Sequence, residues 1–116
     1  MNRAIIVLCL AAGVGSCTPQ PSGYEFGLQL YSLRDQFPAD VPGTLAKVRA
    51  MGITEVETAG RYGLAPDEFR KMTESHGLRI VSTGTEFSYL ESDPQAVADT
   101  AKLLGASYVV TFWIPH

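Results

Sequence analysis

The chain has 116 residues, 46% of them hydrophobic and 18% charged, and nine basic against twelve acidic side chains give a formal net charge of −3. Those proportions are ordinary for a globular protein and bound the chain to one domain or a piece of one. The acidic balance, with both signs mixed along the chain, offers no cationic surface for a phosphate backbone, so no nucleic-acid partner is expected.

Asn2 and Arg3 make a short positive start, and Ala4 to Ala12 is an unbroken apolar run. A membrane span needs about twenty such residues, so the run reads as the core of a signal peptide. Val14-Gly15-Ser16-Cys17 then resembles the lipobox of bacterial lipoproteins: an aliphatic residue, two small ones, and the cysteine whose thiol takes the lipid. The resemblance implies a signal peptide over residues 1–16, lipidation at Cys17, palmitate being one of the acyl chains, and a tether over residues 17–25 that contains two prolines. The product would be exported and anchored in the cell membrane or outer membrane, facing the periplasm where there are two membranes. Thr18 directly after the cysteine leans toward the outer membrane. Cys9 leaves with the signal and Cys17 is capped, so no thiol remains for a disulfide or a metal.

From Phe26 the hydrophobic period switches repeatedly between two and 3.6. Strand-like runs fall near Phe26 to Leu33, Thr54 to Ala59, Arg79 to Thr85 and Tyr108 to Ile114. Asp40 is the expected N-cap of a first helix with Val41, Leu45, Val48 and Met51 on one face and Gly52 as its stop. Pro66, Asp67 and Glu68 open a second helix that carries Phe69 and Met72 inward and stops at Gly77. A third begins with Asp93 as N-cap and Pro94 in its first turn, turns Val97, Ala101 and Leu104 inward, and ends at Gly105.

The three terminal glycines recur 25 and then 28 residues apart, the length of one strand–helix unit. This alternation implies a parallel sheet with right-handed crossovers. An open doubly wound sheet and a closed barrel both satisfy it. Central strands of open sheets are apolar on both faces, whereas these carry Gln29, Glu57, Ser82 and Thr83, which suits a barrel lumen. No G-x-G-x-x-G or P-loop pattern follows the first strand. The fold expected is therefore a parallel (β/α)8 TIM barrel. A full barrel takes about 250 residues, and residues 26–116 supply about three βα units plus a fourth strand, its N-terminal half.

The segments Gly27-Leu28-Gln29-Leu30-Tyr31-Ser32-Leu33-Arg34, Gly52-Ile53-Thr54-Glu55-Val56-Glu57, Gly77-Leu78-Arg79-Ile80-Val81-Ser82 and Leu104-Gly105-Ala106-Ser107-Tyr108-Val109-Val110 occur in that order. Together they resemble the sugar phosphate isomerase/epimerase family with its xylose isomerase-like barrel. The resemblance implies isomerisation or epimerisation of a sugar or polyol through an enediol-like state, with carboxylates moving the proton and a divalent metal (Mn, Mg or Zn) polarising the oxygen. In the family the metal ligands lie on later strands, which this sequence does not contain. No metal ligand and no catalytic acid–base pair is assigned, and residues 26–116 are expected to bind no metal tightly.

The candidate substrate pocket comprises Tyr31 and Arg34 after the first strand, Glu57 near the end of the second, Thr85 after the third, and Trp113 and His116 beyond the fourth. All sit toward the C-terminal rim where barrel sites form. The family's common histidine two residues after the matched serine is here Gly84. Glu86 is a further polar candidate, His76 reads as structural at a helix C-terminus, and Glu55, Glu68, Glu74 and Asp99 read as surface charges. Two functions compete: a lipid-anchored isomerase or epimerase of which this is part, and a non-catalytic lipoprotein that binds sugar or self-associates through open strand edges. The endonuclease branch of the same barrel superfamily fits neither the charge nor the export signal.

Overall fold

A computed structural model describes residues 26–116. The expected signal, Cys17 and the tether lie outside the described residues. Four strands, β1 (Gly27–Gln29), β2 (Glu55–Thr58), β3 (Arg79–Gly84) and β4 (Tyr108–Val110), form one parallel sheet in the order β1-β2-β3-β4. Four helices connect them: α1 (Val41–Ala50), α2 (Pro66–Ser75), α3 (Phe87–Ser92) and α4 (Pro94–Leu104). Strand order that follows chain order without reversal is the winding of a barrel, since a doubly wound sheet changes direction in its middle. Right-handed crossovers of one sense also place the connecting helices on one face of the sheet and leave the other face as the lumen wall. No helix among the described residues is long and apolar enough to cross a membrane.

The helix boundaries follow local chemistry. The Asp40 carboxylate accepts from the Gly43 N–H at 2.8 Å and that of Asp93 from the Ala96 N–H at 2.9 Å, each satisfying a donor left open at a helix start. Ala65 cannot cap α2, so Glu68 reaches back to the Ala65 N–H at 3.0 Å. Lys71, hydrogen-bonded to Asp67 at 3.0 Å one turn earlier, holds that carboxyl below its usual range. At the other ends Gly77 and Gly105 take φ of 73° and 74°, a left-handed turn that releases the chain into β3 and toward β4. His76 caps α2 and its Nδ1 lies 2.8 Å from the Met72 carbonyl.

Leu30, Phe37, Leu45, Val48, Val56, Phe69, Leu78, Ile80 and Leu104 form the buried core between helices and sheet. Each large apolar side chain taken wholly from water stabilises the fold by about 1.5–3 kcal/mol. The loop after β2 is fastened to this core by an aromatic stack. Tyr62 lies parallel to Phe37 with centroids 4.6 Å apart and tilts against Phe69 at 6.2 Å. The contact holds Tyr62 at φ 52°, a backbone state that a side chain other than glycine rarely adopts.

The structure corrects four expectations. The first strand ends at Gln29, where the chain tightens into a 3-10 turn over Leu30–Leu33 that drives Leu30 into the core and leaves Tyr31 in solvent. The fourth strand ends at Val110, because β3 turns away after the Thr85 N–H reaches the Val110 carbonyl at 2.9 Å and the following residues have no ladder partner among the described residues. Met51 is exposed, since as C-cap of α1 it has left the helical stripe that Val48 completes. Helix α3 was not expected: six residues with no side-chain cap carry too little period to read.

Tyr62 generates a stability prediction. Its hydroxyl is buried without a hydrogen-bond partner, and burial raises the phenol above its ordinary value of 10.0. The folded state therefore holds this proton more tightly than the unfolded state, a contribution that is whole below pH about 10 and is lost as pH climbs through the raised folded value. Tyr62→Phe keeps the stack and removes the orphaned hydroxyl, so stability at pH 7 should rise by about 1 kcal/mol, and part of the alkaline loss should disappear. Urea unfolding of both proteins at pH 7 and above pH 10 measures the two effects.

Candidate functional site

The pairing register sorts the strand residues onto two faces. Leu28, Val56 and Ile80 align across β1, β2 and β3 and belong to the helix-side layer. Gln29 aligns with Glu57, and an irregularity after Val56 brings Ser82, not Val81, opposite Glu57. In an unbroken strand Ser82 would share the face of Ile80. The bulge turns it to the opposite face, beside Glu57.

On that lumen face Glu57 is held from both sides. Gln29 Nε2 donates to its Oε1 at 2.8 Å and the Ser82 hydroxyl donates to its Oε2. Both carboxylate oxygens are thus engaged, and the side chain is aimed across the wall of the prospective lumen. Tyr108 continues the row on β4, paired in register with Ser82. One layer toward the strand N-termini, Glu55 pairs with Arg79 across β2 and β3. With its side chain 21% exposed, Glu55 is a half-buried lumen partner and not the free surface charge expected of it.

The same bulge aligns Thr58 with Thr83 on the helix side, where the Thr58 hydroxyl donates to Thr83 Oγ1 at 2.7 Å, both residues buried. Above this pair, at the C-terminal ends of β2 and β3, opens a cavity of about 390 Å³ roofed by Tyr89 of α3 and Val97 and Thr100 of α4, with Arg61 and Glu86 also in its lining. A second cavity of about 230 Å³ adjoins it and shares Thr58, Gly60, Gly84, Thr85 and Glu86, with Phe112 on its further side. Hydroxyls, one cation, one carboxylate and aromatic surface are donor and acceptor types suited to a small polyhydroxylated molecule.

Of the six residues read from sequence as a pocket, Thr85 lines both cavities. Glu57 stands on the lumen wall in the row just described. Tyr31 and Arg34 lie in the 3-10 turn and beyond it, and they engage each other: the guanidinium sits 4.7 Å over the Tyr31 ring and donates to the Tyr31 carbonyl at 3.3 Å. Trp113 is 67% exposed, and His116 is exposed with Nδ1 3.1 Å from the Ile114 carbonyl. Neither lines either of these two cavities. Thr83, expected from the sequence to face the lumen, is turned to the helix side by the bulge and pairs there with Thr58. Thr58, Arg61 and Phe112 were not singled out in the sequence, and for Thr58 its place at a strand end was the available signal.

Among the described residues no three of His, Cys, Asp and Glu converge to hold a metal ion. Glu57 stands in the lumen row between the neutral side chains Gln29 and Ser82, and a single carboxylate does not compose a ligand set.

The threonine pair yields a measurable coupling. Thr58→Val or Thr83→Val alone leaves a buried hydroxyl without its partner and should cost about 1–3 kcal/mol, whereas the double variant should cost less than the sum of the two. A double-mutant cycle by chemical denaturation tests this, and strict additivity would contradict the shared hydrogen bond.

No protein-family model matches this chain, and no curated protein does. Solved structures do. The chain is similar to a sugar phosphate isomerase/epimerase from Parabacteroides distasonis ATCC 8503, at 27% identity and a TM-score of 0.62, over 89% of this chain and 42% of that one. A second sugar phosphate isomerase/epimerase structure from the same organism matches at 29% identity and a TM-score of 0.67, over 81% and 43%. The chain thus spans less than half the length of either. Its sheet order, its register and these likenesses agree that residues 26–116 have the fold of the opening units of a (β/α)8 barrel, with sugar phosphate isomerase/epimerases as structural neighbours.

Proposed function

We propose that this chain forms the N-terminal wall of a lipid-anchored sugar or sugar phosphate isomerase/epimerase that moves a proton through an enediol-like intermediate. The observation that carries the reading is the likeness to two sugar phosphate isomerase/epimerases over 89% and 81% of the chain, and the four sequence segments that resemble the family support it. The lumen row supports it. Glu57, gripped by Gln29 and Ser82, is an oriented carboxylate acceptor for a sugar hydroxyl, and the hydroxyl-lined cavities open at the rim where barrel enzymes bind substrate.

In this reading a divalent metal supplies polarisation of the substrate oxygen, with its ligands on later strands of a complete barrel. The part assigned to residues 26–116 is to bind and orient the sugar. The reading predicts that the full chain binds ketoses or polyols weakly, takes up no stoichiometric metal by elemental analysis, and by itself exchanges no substrate hydrogen with deuterated water. Complete absence of sugar binding in ligand-observed NMR would sink it.

Export and anchoring form a separate part of the proposal and rest on the lipobox resemblance. Expressed in a bacterial host, the chain should incorporate labelled palmitate and fractionate with membranes, and Cys17→Ala should lose the label and accumulate as precursor. Labelling that survives the substitution would overturn the assignment.

One observation favours a second reading, a non-catalytic half-barrel that self-associates. Among the described residues β1 and β4 each lack a neighbour on one side, and Tyr108 is 69% and Val109 37% exposed along the β4 edge. Light scattering of the detergent-solubilised chain separates the readings, since edge pairing gives a concentration-dependent dimer.

A further inference from the structure

We infer that Phe112 is the face against which a bound sugar or polyol lays its C–H surface, and that glycine at position 84 is what allows the ring to stand there. The inference rests on the sugar-binding reading above and names a specificity-determining residue within it. Gly84 is the last residue of β3 and pairs in register with Val110 of β4. A Cβ added to Gly84 would lie 2.6 Å from Phe112 Cε2 and 2.9 Å from Cζ, closer than carbon atoms approach without one of them moving. Any side chain at 84 and this placement of the ring are therefore mutually exclusive.

Phe112 is nevertheless 61% exposed. Part of the ring covers the β3 backbone at Gly84, and the ring also borders the smaller cavity. A large apolar surface left in water at the rim of a cavity, with one edge over the β3 backbone at Gly84, is open to a ligand without displacement of a covering side chain. The electron-rich face of an aromatic ring attracts the slightly positive C–H groups of a sugar. Thr58, Thr85 and Glu86 line the same cavity and offer hydroxyl and carboxylate partners to the sugar's O–H groups. An aromatic wall opposite a few polar groups favours a ligand with both kinds of surface, as a ketose or polyol has, over a purely anionic or purely apolar one. Trp113, the adjacent and larger aromatic, lines neither cavity.

The test uses the full chain and saturation-transfer NMR with D-xylulose, D-fructose and xylitol as probes, the two ketoses also as their terminal phosphates. Stacking contributes about 1 kcal/mol, so Phe112→Ala should weaken binding about fivefold, whereas Phe112→Tyr, which keeps the ring, should bind within about twofold of the parent. Gly84→Ala displaces the ring without removing it and should weaken binding like Phe112→Ala. Trp113→Ala should leave it unchanged. Because Phe112 is largely exposed, Phe112→Ala should retain the parent melting temperature and keep the test valid even where Gly84→Ala folds poorly. Unchanged affinity in Phe112→Ala with binding intact in the parent overturns the role of Phe112 and leaves the sugar reading standing. A parent chain that binds none of the probes overturns both.

Discussion

The bulge between β2 and β3 is the constraint on which the rest of this structure turns. Side chains alternate along a strand, so a regular pairing that places Ile80 with Val56 on the helix side would place Ser82 there too. The register shift after Val56 reverses that parity for the last residues of β3. Ser82 is thereby delivered to Glu57 on the lumen face and Thr83 to Thr58 on the helix face, each with a hydrogen bond that unbroken alternation would forbid. One inserted residue thus converts a strand that is apolar-in at its start into one that presents polar groups to both sides at its C-terminal end.

That conversion places chemistry at the rim and packing at the base. Ile80 and Val56 lie in the core with Leu45, Val48 and Phe69, while the cavities begin only at Thr58 and Thr83. The buried threonine hydroxyls are tolerated because each has a partner: Thr58 and Thr83 take each other, and Thr73 bonds back to the Phe69 carbonyl at 2.8 Å. The aromatic stack of Phe37, Tyr62 and Phe69 anchors the loop that carries Gly60 and Arg61 beside the cavities. Packing energy from the core therefore holds a strained loop at the candidate site, an arrangement frequent where function needs a defined backbone.

The polar lumen row also bears on the architecture. Gln29 and Ser82 hydrogen-bond the Glu57 carboxylate across three strands, so the wall can face a partly aqueous lumen with both carboxylate oxygens satisfied. A doubly wound sheet would cover the same face with helices and leave this row no outlet. The strand order and the side-chain chemistry thus select the barrel independently, and the likeness to two sugar phosphate isomerase/epimerases agrees with both.

Three of the four helices and their limits were legible in the sequence because their causes are local, while α3, six residues with no side-chain cap, was not. Asp40 and Asp93 cap within four residues of themselves, and Gly77 and Gly105 end helices through their own backbone freedom. The parallel α/β order and the barrel class followed from the recurrence of such units and from polar residues within the strand runs. Strand ends were not legible at either edge of the sheet, because a strand continues only where a neighbour supplies hydrogen bonds. Nor was the site's inner lining: Thr58 and Thr83 become a pair only through a bulge set by two strands together, and Phe112 reaches Gly84 from 28 residues away along the chain. Capping and period are properties of a segment, which the sequence contains; parity across a register shift and the space above a glycine belong to the assembled sheet, and only tertiary structure decides them.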